Sequence, residues 1–384
     1  WALLSLMQLS AQTAKDTSNY KPTKLKIDEI NLVSSYYQQD GNNSSVTGGL
    51  GTEKLTDISN TIDVRFFKYD KAGIKHNWDV EVGIDHYSSA SSDQIDLQAN
   101  SSASSSDNRF YPSVTYSREN EAKGQALSFG LSSSTEYDYQ SFGGTVGYSK
   151  QTKNKNGEFI AKFQTYLDQV KLILPIELRG FERESGTAGR NTFAGSLGYS
   201  QIVNKNFQLL FLVDLVQQNG YLSLPFHRVY FTDGTVHQEN LPDSRFKLPV
   251  SVRGSYFLGD NIILRGYYRY YTDDWELKAH TADLEVAVKL SPYLSISPFY
   301  RYYSQEGTKY FKGFEEHTNA SEFYTSNYDL ATFNSHFLGA GFKITPLKGV
   351  FGIKHLNTLE VRYGHYSRTT ALNSDIISVN LKYK

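Results

Sequence analysis

Asp283, Arg265 and Arg301 are the residues whose types and spacing point most directly to a chemical role. They lie on the polar positions of a stretch, 246–305, in which apolar and polar residues alternate. If the chain folds back about Asp274 and about Pro292, Asp283 falls opposite Arg265 on one side and Arg301 on the other. A carboxylate between two guanidinium groups accepts charge-assisted hydrogen bonds. Arg253, Arg269 and Glu285 share that face, so the six would line the lumen of a barrel and bias which ions or solutes pass. The spacing also fits a row of independently solvated charges, and both readings stand at this level.

Residues for bond-breaking chemistry are harder to find. The nine histidines are scattered, mostly on loops or strand ends, and no paired-histidine metalloprotease or nucleophile-elbow sequence occurs. Asp273 and Asp274 beside Trp275 and His280 could hold a cation, as could Asp85, His86 and Asp93. The same residues are common turn formers and interfacial polar groups. There is no cysteine, which excludes disulfides, thiolate metal sites and a thiol nucleophile and suits an exported protein. The net charge is −1, so bulk charge advertises no nucleic-acid partner. The expectation is therefore a protein that is not an enzyme and has no catalytic residues, metal site or cofactor.

The elements that must position these charges are strands. From Leu248 the apolar residues Leu248, Val250, Val252, Tyr256 and Leu258 alternate with Lys247, Ser251, Arg253 and Ser255. The pattern resumes at Ile262, again at Leu284 and again at Leu294, each time with charges on the other face. A soluble sandwich would bury the apolar face under a second sheet, whereas a membrane barrel turns it to lipid and the charges to a lumen. Composition favours the barrel: 29 Tyr and 23 Phe suit pleated surfaces and interfacial girdles. No window approaches the roughly 18 apolar residues of a spanning helix.

Loop lengths carry the topology. Short turns near 70–73, 119–124, 153–157, 203–206, 259–261, 291–293 and 346 alternate with long loops near 40–57, 86–108, 167–190, 219–245 and 306–330. Two loops expected on the long side, 272–276 and 369–374, are short. A transmembrane barrel sorts its loops this way, with short turns in the periplasm and long loops outside. The reading is all-β: an up-and-down antiparallel transmembrane barrel of about 16 strands over residues 25–384. Residues 1–12 are expected to be the remnant of a signal peptide and 13–24 a periplasmic lead-in. The Ser-rich run 101–106 is expected to be a surface loop.

Several motifs also carry a resemblance. They include Leu224-Pro225-Phe226-His227-Arg228, Arg269-Tyr270-Tyr271-Thr272-Asp273-Asp274-Trp275, Ala279-His280-Thr281 and Arg301-Tyr302-Tyr303-Ser304-Gln305. With Gly51-Thr52-Glu53-Lys54-Leu55-Thr56-Asp57 and the run 85–93, they resemble an uncharacterised bacterial family, domain of unknown function three-five-seven-zero. The resemblance covers most of the chain after residue 25. It implies an outer-membrane barrel of Gram-negative bacteria, encoded near a small lipoprotein, a thioredoxin-like protein and a flavin transferase. The combined expectation is a monomer in outer-membrane lipid, acting as a porin-like passive channel or as a sheath for a lipoprotein or periplasmic redox partner. The rivals are an outer-membrane hydrolase with a rim active site and a secreted β-rich adhesin or binding protein.

Overall fold

A computed structural model describes residues 22–88, 106–179 and 186–384. The expected signal remnant, nearly all of the lead-in and the run 101–105 lie outside them. Eighteen strands follow in chain order: β1 (Lys26–Gly41), β2 (Leu55–Tyr69), β3 (Lys75–Ser88), β4 (Ser106–Asn120), β5 (Gln125–Thr135), β6 (Tyr139–Gln151), β7 (Gly157–Leu172), β8 (Gly186–Asn204), β9 (Phe207–Gly220), β10 (Arg228–Tyr230), β11 (Val236–Gln238), β12 (Ser244–Leu258), β13 (Ile262–Asp273), β14 (Lys278–Ser291), β15 (Leu294–Glu306), β16 (Phe333–Ile344), β17 (Leu356–Arg368) and β18 (Leu372–Tyr383). Sixteen of them close into one antiparallel barrel, each beside its neighbour in sequence, and β10 and β11 form a small hairpin inside the β9–β12 loop. The ring shuts where β1 pairs with β18 from Ile30↔Tyr383 to Gly41↔Leu372. The expected strand number holds, and the turns alternate along much of the ring, although 136–138, 274–277 and 369–371 are short on the long-loop side and 345–355 is extended on the other.

Period-two alternation dictates which way each side chain points. Leu248, Val286 and Ile296 share faces with Val250, Leu284 and Tyr300, which are 40%, 50% and 45% exposed. Asp283 is on the opposite face, bonded to the Arg301 guanidinium. The apolar side therefore looks out and the ionised side in. A soluble sandwich is excluded, because no second sheet covers the outward residues.

The register corrects one expectation. Strands β14 and β15 pair about Pro292 as expected, with Asp283↔Arg301. Across β13 and β14, however, Arg265 pairs with Glu285 and Asp283 faces Tyr267. The cause is the turn after Asp273, where Asp273 N donates to Leu277 O and Glu276 takes a left-handed φ of 68°. That turn centres on Trp275 rather than Asp274, and one residue at a turn slides the partner strand by two.

The outward face has its own vertical order. On β3 it runs His76, Trp78, Val80, Val82, Ile84, His86, with both imidazoles hydrogen-bonded, His76 to Tyr116 OH at 2.8 Å and His86 to Asn108 at 2.9 Å. At the same upper level His280 meets Tyr268 OH and His336 meets Tyr300 OH, each at 2.7 Å. His86, His280 and His336 thus mark an upper polar level and His76 a lower one. Between them lie about ten residues at about 3.3 Å each, which at a tilt of about 40° stand roughly 25 Å tall, the height of a bilayer's apolar band.

Candidate functional site

Sixteen strands about 4.8 Å apart and tilted about 40° enclose a ring roughly 30 Å across. In this ring β2 and β3 stand opposite β12 and β13. Their inward rows carry opposite charge. Asp57, Asp63, Asp79, Glu81 and Asp85 project from β2 and β3, with Arg65 and Lys75 among them, while Arg245, Lys247, Arg253, Arg265 and Arg269 project from β12 and β13, with Asp273 among them, so each wall keeps an excess of one sign. Any solute between these walls meets a transverse field.

The sequence expected a carboxylate held between two arginines, and the barrel builds one around a different carboxylate. Glu285 accepts from Arg265 Nη1 and, at 2.7 Å, from Arg362 Nη2. Arg362 reaches it from β17, across the inward face of β15 and β16. Gly341 makes that reach possible, since a Cβ there would lie 3.2 Å from the Arg362 side chain. Arg301 Nε bonds Asp283 at 3.0 Å, and its guanidinium lies 5.8 Å from the Phe337 ring. A cavity of about 380 Å³ lies along this wall, lined among others by Arg265, Glu285, Lys343 and Arg362. All six residues read from the sequence thus face the interior.

What the sequence did not give is the structure over the long-loop end. The loop 42–54 springs from β1 and β2, and the loop 221–243 from β9 and β12, halfway round the ring. They nevertheless touch. Arg228, only 1% exposed, donates from Nη1 to Val46 O at 2.6 Å and from Nη2 to Glu177 at 2.9 Å, with Nε also on Glu177. Ser45 Oγ meets His227 Nε2 at 3.1 Å. Gly48, at a φ of 78°, lies so close to the Tyr230 ring that a Cβ would sit 2.5 Å from it. The three contacts make a bar across the mouth.

A third loop, 307–332, locks this bar. Asn240 and Tyr324 exchange backbone hydrogen bonds at 3.1 and 2.7 Å, and Thr232 N donates to His317 O at 2.9 Å. Buried Glu239 accepts from Thr325 Oγ1 at 2.5 Å and from Leu224 N at 2.7 Å. Phe226, Val229, Phe231, Leu241, Trp275 and Ala331 are all buried here. The apolar core of this protein is thus largely in its cap. Asp273 underpins it, accepting from Arg245, Tyr271 OH and the backbone of Trp275 and Leu277. Those donors saturate the carboxylate, and His280 points outward, so the 273–280 residues do not assemble a cation site. Asp85 likewise faces inward while His86 faces out, and Asp93 lies outside the described residues.

Ser45, His227 and Glu239 resemble a hydrolase triad in type, but His227 Nδ1 is 3.7 Å from Glu239 and makes no hydrogen bond. The acid that would orient the base is engaged by Thr325 and Leu224 instead. One acidic group has no counterpart in the sequence reading: Asp107, Glu136 and Asp138 bring their carboxylates within 4.8 Å of one another beside the 136–138 turn. Burial, with Asp107 and Glu136 adding repulsion, pushes Asp138 up to about 6.

The clasp between cap and barrel is sensitive to protons. Arg368, with a side chain 3% exposed, donates to Asp329 at 2.6 Å and approaches Glu53 to 4.0 Å. Burial, and secondarily Asp329, push the Glu53 carboxyl up from 4.5 to about 7, against the pull of Arg368. Packing therefore favours protonated Glu53. The clasp is at full strength below pH 4.5 and weakens as pH rises through 7, by roughly 3 kcal/mol at most. Proteolysis of loop 42–54 should accelerate between pH 5 and 8 in the wild type, and Glu53→Gln should abolish that dependence.

A family model described as "Protein of unknown function (DUF3570)" matches residues 84–374. No curated protein matches the chain. Among solved structures, a BenF-like porin from Pseudomonas fluorescens Pf-5 is similar at a TM-score of 0.44 and 10% identity, over 92% of this chain and 98% of the other. Pseudomonas aeruginosa OccD3 (OpdP) is similar at 0.46 and 8%, over 94% and 93%. Likeness of this degree carries no functional argument.

Proposed function

Because the chain belongs to the DUF3570 family, whose description names no activity, we propose a role from its own geometry: a channel-type barrel of the Gram-negative outer membrane, closed at its outer mouth by its own loops. The observation that carries this reading is the pairing of an outward apolar band, bounded by polar belts, with an inward lining of opposed charges. Hydrocarbon would cover the first, and enclosed water would solvate the second. The transverse field would align dipolar solutes, and the bar over the mouth would limit entry. Transport would be passive and the barrel a monomer in lipid.

The sheath reading differs only in what fills the interior, a lipoprotein or redox partner entering from the short-turn end. Planar-bilayer conductance of the purified, refolded barrel separates the two. Ohmic single-channel steps that grow when loop 221–243 is shortened support the channel. A barrel that stays silent after the loop is shortened, while retaining heat-modifiable gel mobility, overturns it.

A further inference from the structure

We propose that Arg253 and Arg269 form a binding site for a carboxylate-bearing organic solute on the β12–β13 wall. This rests on the channel reading and names the solute class it would favour. Arg65, Arg109, Arg190, Arg245, Arg265, Arg301, Arg362 and Arg368 each have a carboxylate oxygen within 4.0 Å. Arg253 and Arg269, also inward, have none among the described residues.

These two are neighbours. Arg253 pairs with Tyr267 and Ser251 with Arg269, which makes the two arginines a diagonal pair with Cβ atoms about 7–8 Å apart. From such positions two guanidinium groups can converge on one anion, which would accept hydrogen bonds from both and offset their mutual repulsion. Arg269 Nε is shielded from solvent and has no acceptor. Lys247, on the same inward row toward the mouth, has Asp273 as its cross-strand partner, so the pair without a carboxylate is confined to Arg253 and Arg269.

The surroundings favour an organic anion. The Arg253 guanidinium lies 5.4 Å from the Tyr267 ring, which places it beside an aromatic surface. Tyr271 shares the inward face of β13, and Tyr303 on β15 stands level with Arg269, with Thr281 of β14 between them. A planar guanidinium matches the two oxygens of a carboxylate, and the phenol rings offer stacking area to an apolar body.

The test uses the full-length barrel in detergent, with benzoate and inorganic phosphate as probes in calorimetric titrations. Wild type should bind benzoate, and the Arg253→Gln/Arg269→Gln double variant should lose about tenfold or more in affinity while keeping heat-modifiable mobility. Arg253→Lys/Arg269→Lys, which keeps the charge but not the planar fork, should fall between them. Equal benzoate affinity in wild type and the double Gln variant overturns the site. Phosphate bound more tightly than benzoate through the same arginines overturns the carboxylate class. Conductance on the same samples keeps the two readings apart. A conducting wild type that ignores benzoate sinks the site alone, and a silent barrel that binds benzoate sinks the channel alone.

Discussion

Arg228→Ala should open the mouth without unfolding the barrel. Arg228 is the keystone of the bar, buried to 1% exposure and holding Val46 O from one wall and Glu177 from another. Removing one partner of a buried ion pair costs about 3–5 kcal/mol, because the remaining charge loses its compensation. Glu177 keeps a side-chain exposure of 35% and can rehydrate, so the lower end of that range applies. Even that shifts a closed-to-open ratio by roughly two orders of magnitude. None of the sixteen strand pairings involves Arg228, so heat-modifiable mobility should be unchanged while single-channel conductance and loop proteolysis rise. Wild-type conductance in a variant whose loops are cleaved faster would show that the bar does not limit flow, and unchanged cleavage would show that Arg228 does not hold it.

The second large effect lies on the outer surface. Leu284 is 50% exposed, midway along the apolar row between His280 and Leu290. Leu284→Arg should cost about 2–4 kcal/mol of folding free energy in phospholipid vesicles, the penalty for a cation at the bilayer midplane. Ser297 lies on the inward face of the adjacent strand and borders the wall cavity. Ser297→Arg should therefore change stability by only a few tenths of a kcal/mol, as solvated substitutions do. Urea unfolding of both variants in vesicles reads the difference. Equal costs would mean that the apolar face does not meet lipid, and a wild type stable in buffer without detergent would favour the secreted binding protein.

How much of this was legible depends on how local each signal is. Strand faces are written in every second residue, as Leu248 to Leu258 show, and loop parity needs only counting. Register is less secure, because the left-handed Glu276 lengthens one turn and moves Arg265 from Asp283 to Glu285. The two-arginine carboxylate was right as chemistry and wrong in its residues. Arg362 could not have been assigned to Glu285 from spacing, since the two are 77 positions apart in sequence with two strands between them.

The mouth was least legible, because Arg228 and Val46 are 182 residues apart and no periodicity connects them. A signal was present all the same. Long loops carrying Phe226, Val229, Phe231 and Leu241 hold more apolar mass than solvated connections tolerate, which marks them as packed. The quoted motifs converge there too, with His227 and Arg228 in the bar, Asp273 and Trp275 beneath it, and Gln305 bonded to the carbonyls of Asp329 and Ala331.

The contacts of loop 42–54 with loop 221–243 set an order for biogenesis. A loop rooted on one wall can meet a loop rooted on the far wall only after the first and last strands have zipped together, because an open sheet holds their anchors far apart. Docking of Val46 on Arg228 and of Ser45 on His227 is therefore a readout of circumferential closure. Barrels stalled with an unsealed β1–β18 seam should display sticky, protease-accessible loops, the feature by which envelope quality control could tell a finished molecule from an abandoned one.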